Sequence, residues 1–436
     1  MNKLHLILFT ILGTLILYKP PTDLDLGWHL QYGKQILETR QIPKTNTFSY
    51  TLPNYSWSNS YWFSQIVMYL IFSKLGYIGL SVITAGSVAF ACVYFSKSLF
   101  ASGVVYVGLT FFALSVRPMG FSTILMLLML YILLKKPTAI KWLPFLFILW
   151  ANVHADFVLG LFILGIYTLL HERFKPKAVL FFAACCLTTL LNPYGPDLWK
   201  TLLNETRSKQ FNTILEWLPI YQYAKSTILL SFLYGLAAFF LAPIIVLRKP
   251  QNAWLIAAGV IFFCLIFKSI YFLRIVFIVG LIPTGLFLNH LNIYISKFFR
   301  PLIAGIMCVV VLIAAELFAV NIMKTVNKSL FCQTAKLPCS AVAYIREHKL
   351  AGNMFNEYNW GGYLIWNLPE YKTFIDGRMA SWGELPRIYA DALKTINSND
   401  KFYKEYNVKF LLLKNSRDVE GMNVIYKDDV AVIVAL

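Results

Sequence analysis

Twelve apolar stretches divide the first 320 residues, near 5–18, 60–75, 77–96, 102–116, 120–134, 142–153, 156–170, 178–191, 226–247, 253–267, 270–288 and 302–320. One soluble core cannot bury so many runs. A bilayer suits them, because a helix satisfies its own backbone hydrogen bonds where no water is available. The composition agrees: 58% of the residues are hydrophobic, 14% are charged, and the mean hydropathy is +0.61. The net charge of +18 does not point to nucleic acid, because Lys and Arg are spread over short loops between apolar runs. That distribution fits anchoring to anionic lipid and control of topology.

Lys and Arg mark the turns at 135–141, 171–178, 248–249 and 297–300, which the positive-inside bias assigns to the cytoplasm. Residues 20–59, 192–225 and the tail from 321 then lie outside. Lys324 and Lys328, just past the last stretch, pull the other way. Four stretches separate the 20–59 loop from Lys135, and an odd number of crossings is needed. One stretch is therefore expected to be interfacial or re-entrant, leaving about 11 crossings. Residues 5–18 read as an uncleaved first span, since no small-x-small site follows; a signal peptide is the alternative. The fold class is a polytopic α-helical membrane protein. Its transmembrane domain is 1–320, with outer loops 20–59 and 192–225, and a small mixed α/β extracytoplasmic domain fills 321–436. In the tail, alternation at Thr373–Asp376, Phe410–Leu413 and Ala431–Val434 suggests strands, and helical periodicity appears near 340–348 and 384–397.

Cys92, Cys185, Cys186, Cys264 and Cys308 lie in apolar runs, where Cys packs as a small hydrophobe. Cys332 and Cys339 flank a polar hexapeptide. On an exported tail they are expected to form a disulfide; on a cytosolic tail they would be two thiols.

Acids are scarce before residue 320, with nine Asp plus Glu against 24 Lys plus Arg. Two of the nine are Asp23 and Asp25, just past the first span. Carboxylates beside a bilayer are costly unless water, a cation or a substrate compensates them. The pair suits a general base for an acceptor hydroxyl, or a divalent cation such as Mg or Mn held by Asp23 and Asp25. The plainer alternative makes Asp25 the N-cap of a surface helix, Asp25–Leu37, and Asp23 a solvated acid. His29, four residues on, would stack on Asp25 or meet a phosphate; Trp28, Trp57, Tyr50, Tyr55 and Tyr61 suit the headgroup layer. His154 and Asp156 lie between two apolar runs on the outer side, as substrate or cation contacts or as a tight helix-bridging turn. Arg117, Lys268 and Arg274 sit in or beside spans. Arg offers a fork suited to phosphate, and snorkelling is the alternative. Arg274 is preferred, because its span returns towards the outer face. In the tail, Trp360-Gly-Gly-Tyr363 and Phe374-Ile-Asp376-Gly-Arg378 combine Gly, aromatics and charge, as a ligand surface or as a turn around a buried ion pair.

Together these segments resemble the GT-C class of integral-membrane glycosyltransferases. More narrowly they resemble a group of bacterial polytopic proteins of GT-C-like plan, through Asp23-Leu-Asp25-Leu-Gly-Trp28-His29 with Gly33, Pro43 and Trp57; Arg117-Pro118; Asn192-Pro-Tyr-Gly195; Glu216-Trp217; and the two tail motifs. Asp25 followed by Trp28 is similar to the acid-then-aromatic element of oligosaccharyltransferase catalytic subunits. Asp23-x-Asp25 is similar to the acidic pair of dolichol-phosphate mannosyltransferases. Trp360-Gly-Gly-Tyr363 is similar to the Trp-Trp-Asp-Tyr-Gly acceptor motif but lacks its acid, so peptide recognition does not carry over.

The resemblance implies an inverting glycosyltransferase of the bacterial cytoplasmic (inner) membrane. A polyprenyl-phosphate-linked sugar would be the donor, and a glycan, lipid or protein the acceptor. Asp25 would activate the acceptor, Asp23 would hold a metal or orient it, and Arg274 with His154 would meet the phosphate. Trp360, Tyr363, Asp376 and Arg378 would face the acceptor. The alternatives are a non-catalytic transporter or flippase of lipid-linked sugars, and a scaffold for glycan assembly. A transporter would bring broken helices in paired halves, and no internal repeat is evident.

Overall fold

The structure, a computed structural model, describes residues 3–111, 115–207, 215–224, 226–246, 252–290, 299–396 and 400–436. Arg248, Lys249 and Lys297, which helped to orient the chain, lie outside the described residues, as do 208–214 and 225 of the second outer loop. The chain divides into two compact units. One holds Met1–Lys19, Ile78–Gly195 and Asn212–Ile322; the other holds Pro20–Tyr77, Pro196–Phe211 and Met323–Leu436.

The first unit is helical. Its apolar runs become the helices Lys3–Leu17, Leu99–Phe111, Met119–Lys135, Leu143–Ala151, Phe157–Leu170, Pro176–Thr188, Thr227–Val246, Ala253–Leu265, Tyr271–His290 and Phe299–Val326. The runs 60–75 and 77–96 form one helix, Trp62–Ser96, broken at Gly76, whose φ of 63° suits a residue without Cβ. Helix Tyr271–His290 is the most enclosed. Leu273, Val276, Phe277, Val279 and Leu281 are buried among helices Leu99–Phe111, Met119–Lys135, Thr227–Val246 and Ala253–Leu265. Helix Phe299–Val326 instead exposes Leu312, Ile313 and Leu317, an apolar face suited to lipid. Among the described residues, three helices are long and apolar enough to cross a membrane: Trp62–Ser96, Thr227–Ile245 and Tyr271–Leu288. Among the same residues, six shorter apolar helices, Lys3–Leu17 and Met119–Lys135 included, have 10–17 residues, under the roughly 20 of a perpendicular span. The chain is an integral membrane protein, and the described helices carry three such spans where the sequence count reached about 11.

The second unit is built on a four-stranded sheet, β1 (Asn353–Asn356), β2 (Val408–Lys414), β3 (Asn423–Lys427) and β4 (Ala431–Ala435), in the order β1-β2-β4-β3. β1 runs parallel to β2, and the other pairs are antiparallel, with Leu412 opposite Ile433. Both faces of the sheet are covered. Leu411, Leu413, Val432 and Val434 point into a core with Phe355, Phe374 and Trp382, while Phe410, Leu412 and Ile433 point into another with Ile345, Trp360 and Leu364. Burial on both faces explains why β2 and β4 read as continuous apolar runs. The helices Cys339–Glu347 and Leu385–Lys394 match the periodic segments near 340–348 and 384–397.

Two expectations are corrected. Thr373–Asp376 is extended but outside the sheet, because the outer loop takes its hydrogen bonds. Thr373 donates to the Phe48 carbonyl at 3.0 Å, and Tyr50 donates to the Thr373 carbonyl at 3.2 Å. The 20–59 loop, assigned above to the membrane domain, packs with the tail. Trp28, Tyr32 and Trp57 are core residues of this unit, and Tyr50, Tyr55 and Tyr61 pack against that core. Their apolar area is removed from water by Phe374 and Trp382 rather than by headgroups.

Candidate functional site

Asp25 occupies the N-cap position of helix Leu26–Thr39 but does not cap it through its side chain. Its carboxylate is engaged elsewhere: the Trp28 indole Nε1–H donates to Oδ1 at 3.0 Å. Asp23 Oδ1 accepts the Asp25 backbone N–H at 2.9 Å, so the loop turns back on itself before the helix. Both acids are half-buried. His29 is buried; its Nδ1 pairs with Gln65 Nε2 at 3.1 Å, and its ring lies 3.6 Å from that of Trp28. His29 thus has an aromatic and an amide partner.

The tail motifs pack around this helix start. A Cβ on Gly27 would overlap the Gly362 carbonyl, and one on Gly362 would overlap the Leu24 carbonyl, so helices Leu26–Thr39 and Gly361–Asn367 meet backbone to backbone. Gly377 lies against the Asp25 carboxylate. Arg378 Nε and Nη2 each donate to Asp376 at 2.7 Å, and both side chains are fully enclosed. Arg378 also donates to the Tyr32 hydroxyl at 2.5 Å and to Asn46 Oδ1 at 3.2 Å. The rings of Tyr32, Phe48, Trp57 and Trp382 surround it at 5.2–5.8 Å. Burial alone would lower its pKa; the Asp376 charge outweighs burial and holds the guanidinium above its usual value. Trp360 is buried, with Nε1 donating to the Lys336 carbonyl at 2.9 Å. Tyr363 donates to Cys339 Sγ at 3.1 Å, and burial pushes its phenol up to about 12. Trp360, Asp376 and Arg378, expected to face an acceptor, are interior groups, and Arg378 joins the tail to the outer loop through Tyr32 and Asn46. Cys332 and Cys339 are joined by a disulfide.

A second polar cluster sits in the helical unit. Arg274 Nη2 donates to Asp156 Oδ2 at 2.6 Å, and Nη1 donates to Thr123 Oγ1 at 3.2 Å. The Tyr271 hydroxyl donates to Asp156 Oδ1, and Ser122 Oγ donates to Oδ2 at 2.9 Å. Trp150 Nε1 donates to Ser122 Oγ at 2.8 Å, and His154 Nδ1 accepts the Asp156 N–H at 3.1 Å. Asp156, His154 and Arg274 are thus brought together, all buried. The Arg274 fork, expected for phosphate, is occupied by Asp156 because an unpaired guanidinium is too costly to bury. Beside it, Arg117 Nη1 lies 3.3 Å from both Glu216 oxygens, at 22% and 32% side-chain exposure. Trp217 stacks flat on Tyr271, 4.9 Å away and 7° from parallel.

Sequence reading did not find Tyr271, Ser122 and Trp150 around Asp156. Tyr271 was legible in principle, one helical turn from Arg274; Ser122 and Trp150 carried no local signal. Glu205, on helix Asp197–Arg207, was also missed. Burial pushes its carboxyl up to about 7.

A metal needs a donor set. Among the described residues, no three His, Cys, Asp or Glu side chains gather as a metal group. Asp23 and Asp25 each lend one oxygen to an internal hydrogen bond.

No protein-family profile matches the chain, and no curated protein matches it in sequence. Solved structures do match in fold. One is the archaeal oligosaccharyltransferase AglB from Archaeoglobus fulgidus, in complex with an inhibitory peptide and a dolichol-phosphate; TM-score 0.61, 10% identity, covering 94% of this chain and 69% of that one. The apo form of the Archaeoglobus fulgidus oligosaccharyltransferase matches at TM-score 0.63 and 10% identity, with 94% and 69% covered. The same enzyme tethered to an acceptor peptide with the NVT sequon matches at 0.61 and 11%, with 94% and 68% covered. At these identities the likeness is one of architecture. The chain shares the fold of these oligosaccharyltransferase structures.

Proposed function

We propose that this chain is an inverting GT-C glycosyltransferase that moves a sugar from a polyprenyl-phosphate-linked donor to a glycan, lipid or protein acceptor on the outer side of the membrane. One observation carries the reading. On an oligosaccharyltransferase-like fold, the half-buried carboxylate of Asp25 is held in one orientation by Trp28 at the start of a helix. Carrier phosphate and peptide in the solved neighbours support a lipid-linked donor and a separate acceptor as partners.

In this reading Asp25 takes the proton from an acceptor hydroxyl. The freed oxygen attacks the anomeric carbon, the bond from that carbon to the phosphate oxygen breaks, and prenyl phosphate leaves with the electron pair. A phosphate leaving group needs cationic stabilisation rather than a strong acid. Within the helical unit, Arg274 and Asp156 hold Tyr271 and, through it, the stacked Trp217. A Mg or Mn ion held by Asp23 would neutralise phosphate charge when bound.

The test is transfer by purified protein from a panel of prenyl-phosphate sugars, with Asp25→Asn beside the parent. The reading expects Asp25→Asn to lose turnover and keep donor binding. A transporter or scaffold would be indifferent to the change, and that result would reject the assignment.

A further inference from the structure

We propose that Gly377 is a positioning residue for the Asp25 carboxylate, because the space its missing side chain leaves is the space that Oδ1 occupies. The inference rests on Asp25 being the base in the reading above.

The glycines of this unit differ in what a side chain would strike. On Gly27 and Gly362 it would strike backbone carbonyls, which cannot yield without parting two helices. On Gly361 it would lie 2.5 Å from the Asp376 Cα and 2.6 Å from the Ile375 carbonyl. On Gly377 it would strike Asp25 Oδ1, with Cγ at 3.0 Å and Oδ2 at 3.6 Å. At Gly377, unlike those three, the obstacle is the end of a side chain that can rotate out of the way. Gly377 also lies outside the left-handed φ region, so its backbone accepts alanine.

Oδ1 therefore sits between two constraints. The Trp28 indole N–H draws it in from its own helix, and the Cα of Gly377 leaves it just enough room. Gly377 is itself held. Its carbonyl accepts from the Tyr358 hydroxyl at 3.3 Å, and its neighbours Asp376 and Arg378 form the enclosed ion pair. The buried Asp376-Gly-Arg378 motif thus acts on Asp25 through Gly377, without reaching a substrate. Alanine at 377 would swing the carboxylate to another rotamer and break its bond to Trp28, leaving the backbone in place. Misplacing a reacting group by about 1 Å costs on the order of 10²-fold in rate.

The full-length membrane protein carries the test. Gly377→Ala should lower kcat by on the order of 10²-fold, with the donor KM within about 2-fold. Trp28→Phe, which keeps the ring and removes the N–H, should lower kcat in the same way. A stability cycle reads the placement without turnover: Gly377→Ala should lower Tm in the parent, and the loss should vanish in Asp25→Ala, where the obstacle is gone. Gly27→Ala should lower Tm equally in both backgrounds. Unchanged kcat in Gly377→Ala, or a Tm loss that persists in Asp25→Ala, overturns the proposal. If the parent transfers no sugar from any prenyl-phosphate donor, the transferase reading fails, and the stability cycle still decides whether Gly377 sets Asp25.

Discussion

Replacing Arg378 with methionine should destabilise the loop-and-tail unit by about 3–5 kcal/mol, the cost of removing one partner from a buried ion pair. The geometry says why the upper part of that range applies. Asp376 would keep only the Arg378 backbone N–H at 3.1 Å and the Thr373 hydroxyl at 3.4 Å, and it is wholly enclosed. Tyr32 and Asn46 would each lose a hydrogen bond as well, Asn46 Oδ1 keeping the Ser49 N–H at 3.3 Å. Methionine keeps most of the volume among the four rings, so the loss reports charge and hydrogen bonding rather than a cavity. For a unit of this size the change corresponds to a fall in Tm on the order of 10 °C. The assay is thermal unfolding of the detergent-solubilised chain followed by tryptophan fluorescence, since Trp28, Trp57, Trp360 and Trp382 all lie in the affected cores. Arg378→Met with Asp376→Leu should recover much of the loss, because no charge is then left unpaired. A shift below about 1 kcal/mol in the single variant, or a double variant no better than the single, would refute the reasoning.

Asp156→Asn should lower stability by about 3 kcal/mol or more, since Arg274 would stay buried beside a neutral amide; Arg274→Met in the same chain should restore part of it, read by the same melts. Glu205 titrates higher when folded than when unfolded, so it favours the fold at low pH and loses that contribution as pH rises from about 4.5 through about 7. Glu205→Gln should therefore gain Tm over the parent between pH 5 and pH 8, and a constant difference would contradict the burial. Reducing the Cys332–Cys339 bridge should cost about 2 kcal/mol through the short loop it closes, seen as a lower Tm with reductant that Cys332→Ser/Cys339→Ser does not show.

Local pattern alone carried much of the architecture. The apolar runs mark the helices because burial in lipid or among helices needs only continuous hydrophobicity, which any window reveals. Phe410–Leu413 and Ala431–Val434 were legible as strands for the same reason. β1 and β3 were not, since Asn353–Asn356 and Asn423–Lys427 are short and polar at their ends. Asp25 and Trp28 were visible as a pair because they are three residues apart on one helical turn.

Residue order by itself determined that this chain enters a membrane, where its helices run, and that acids gather after the first span. Only the tertiary structure decided which groups meet. Tyr32 and Arg378 pair across 346 positions, Arg274 and Asp156 across 118, and Gly377 closes on Asp25 from the far end of the chain. Periodicity records which face of an element is apolar, but not which distant face will cover it. A buried arginine and a solvent-facing one look alike until the partner that neutralises it is in place.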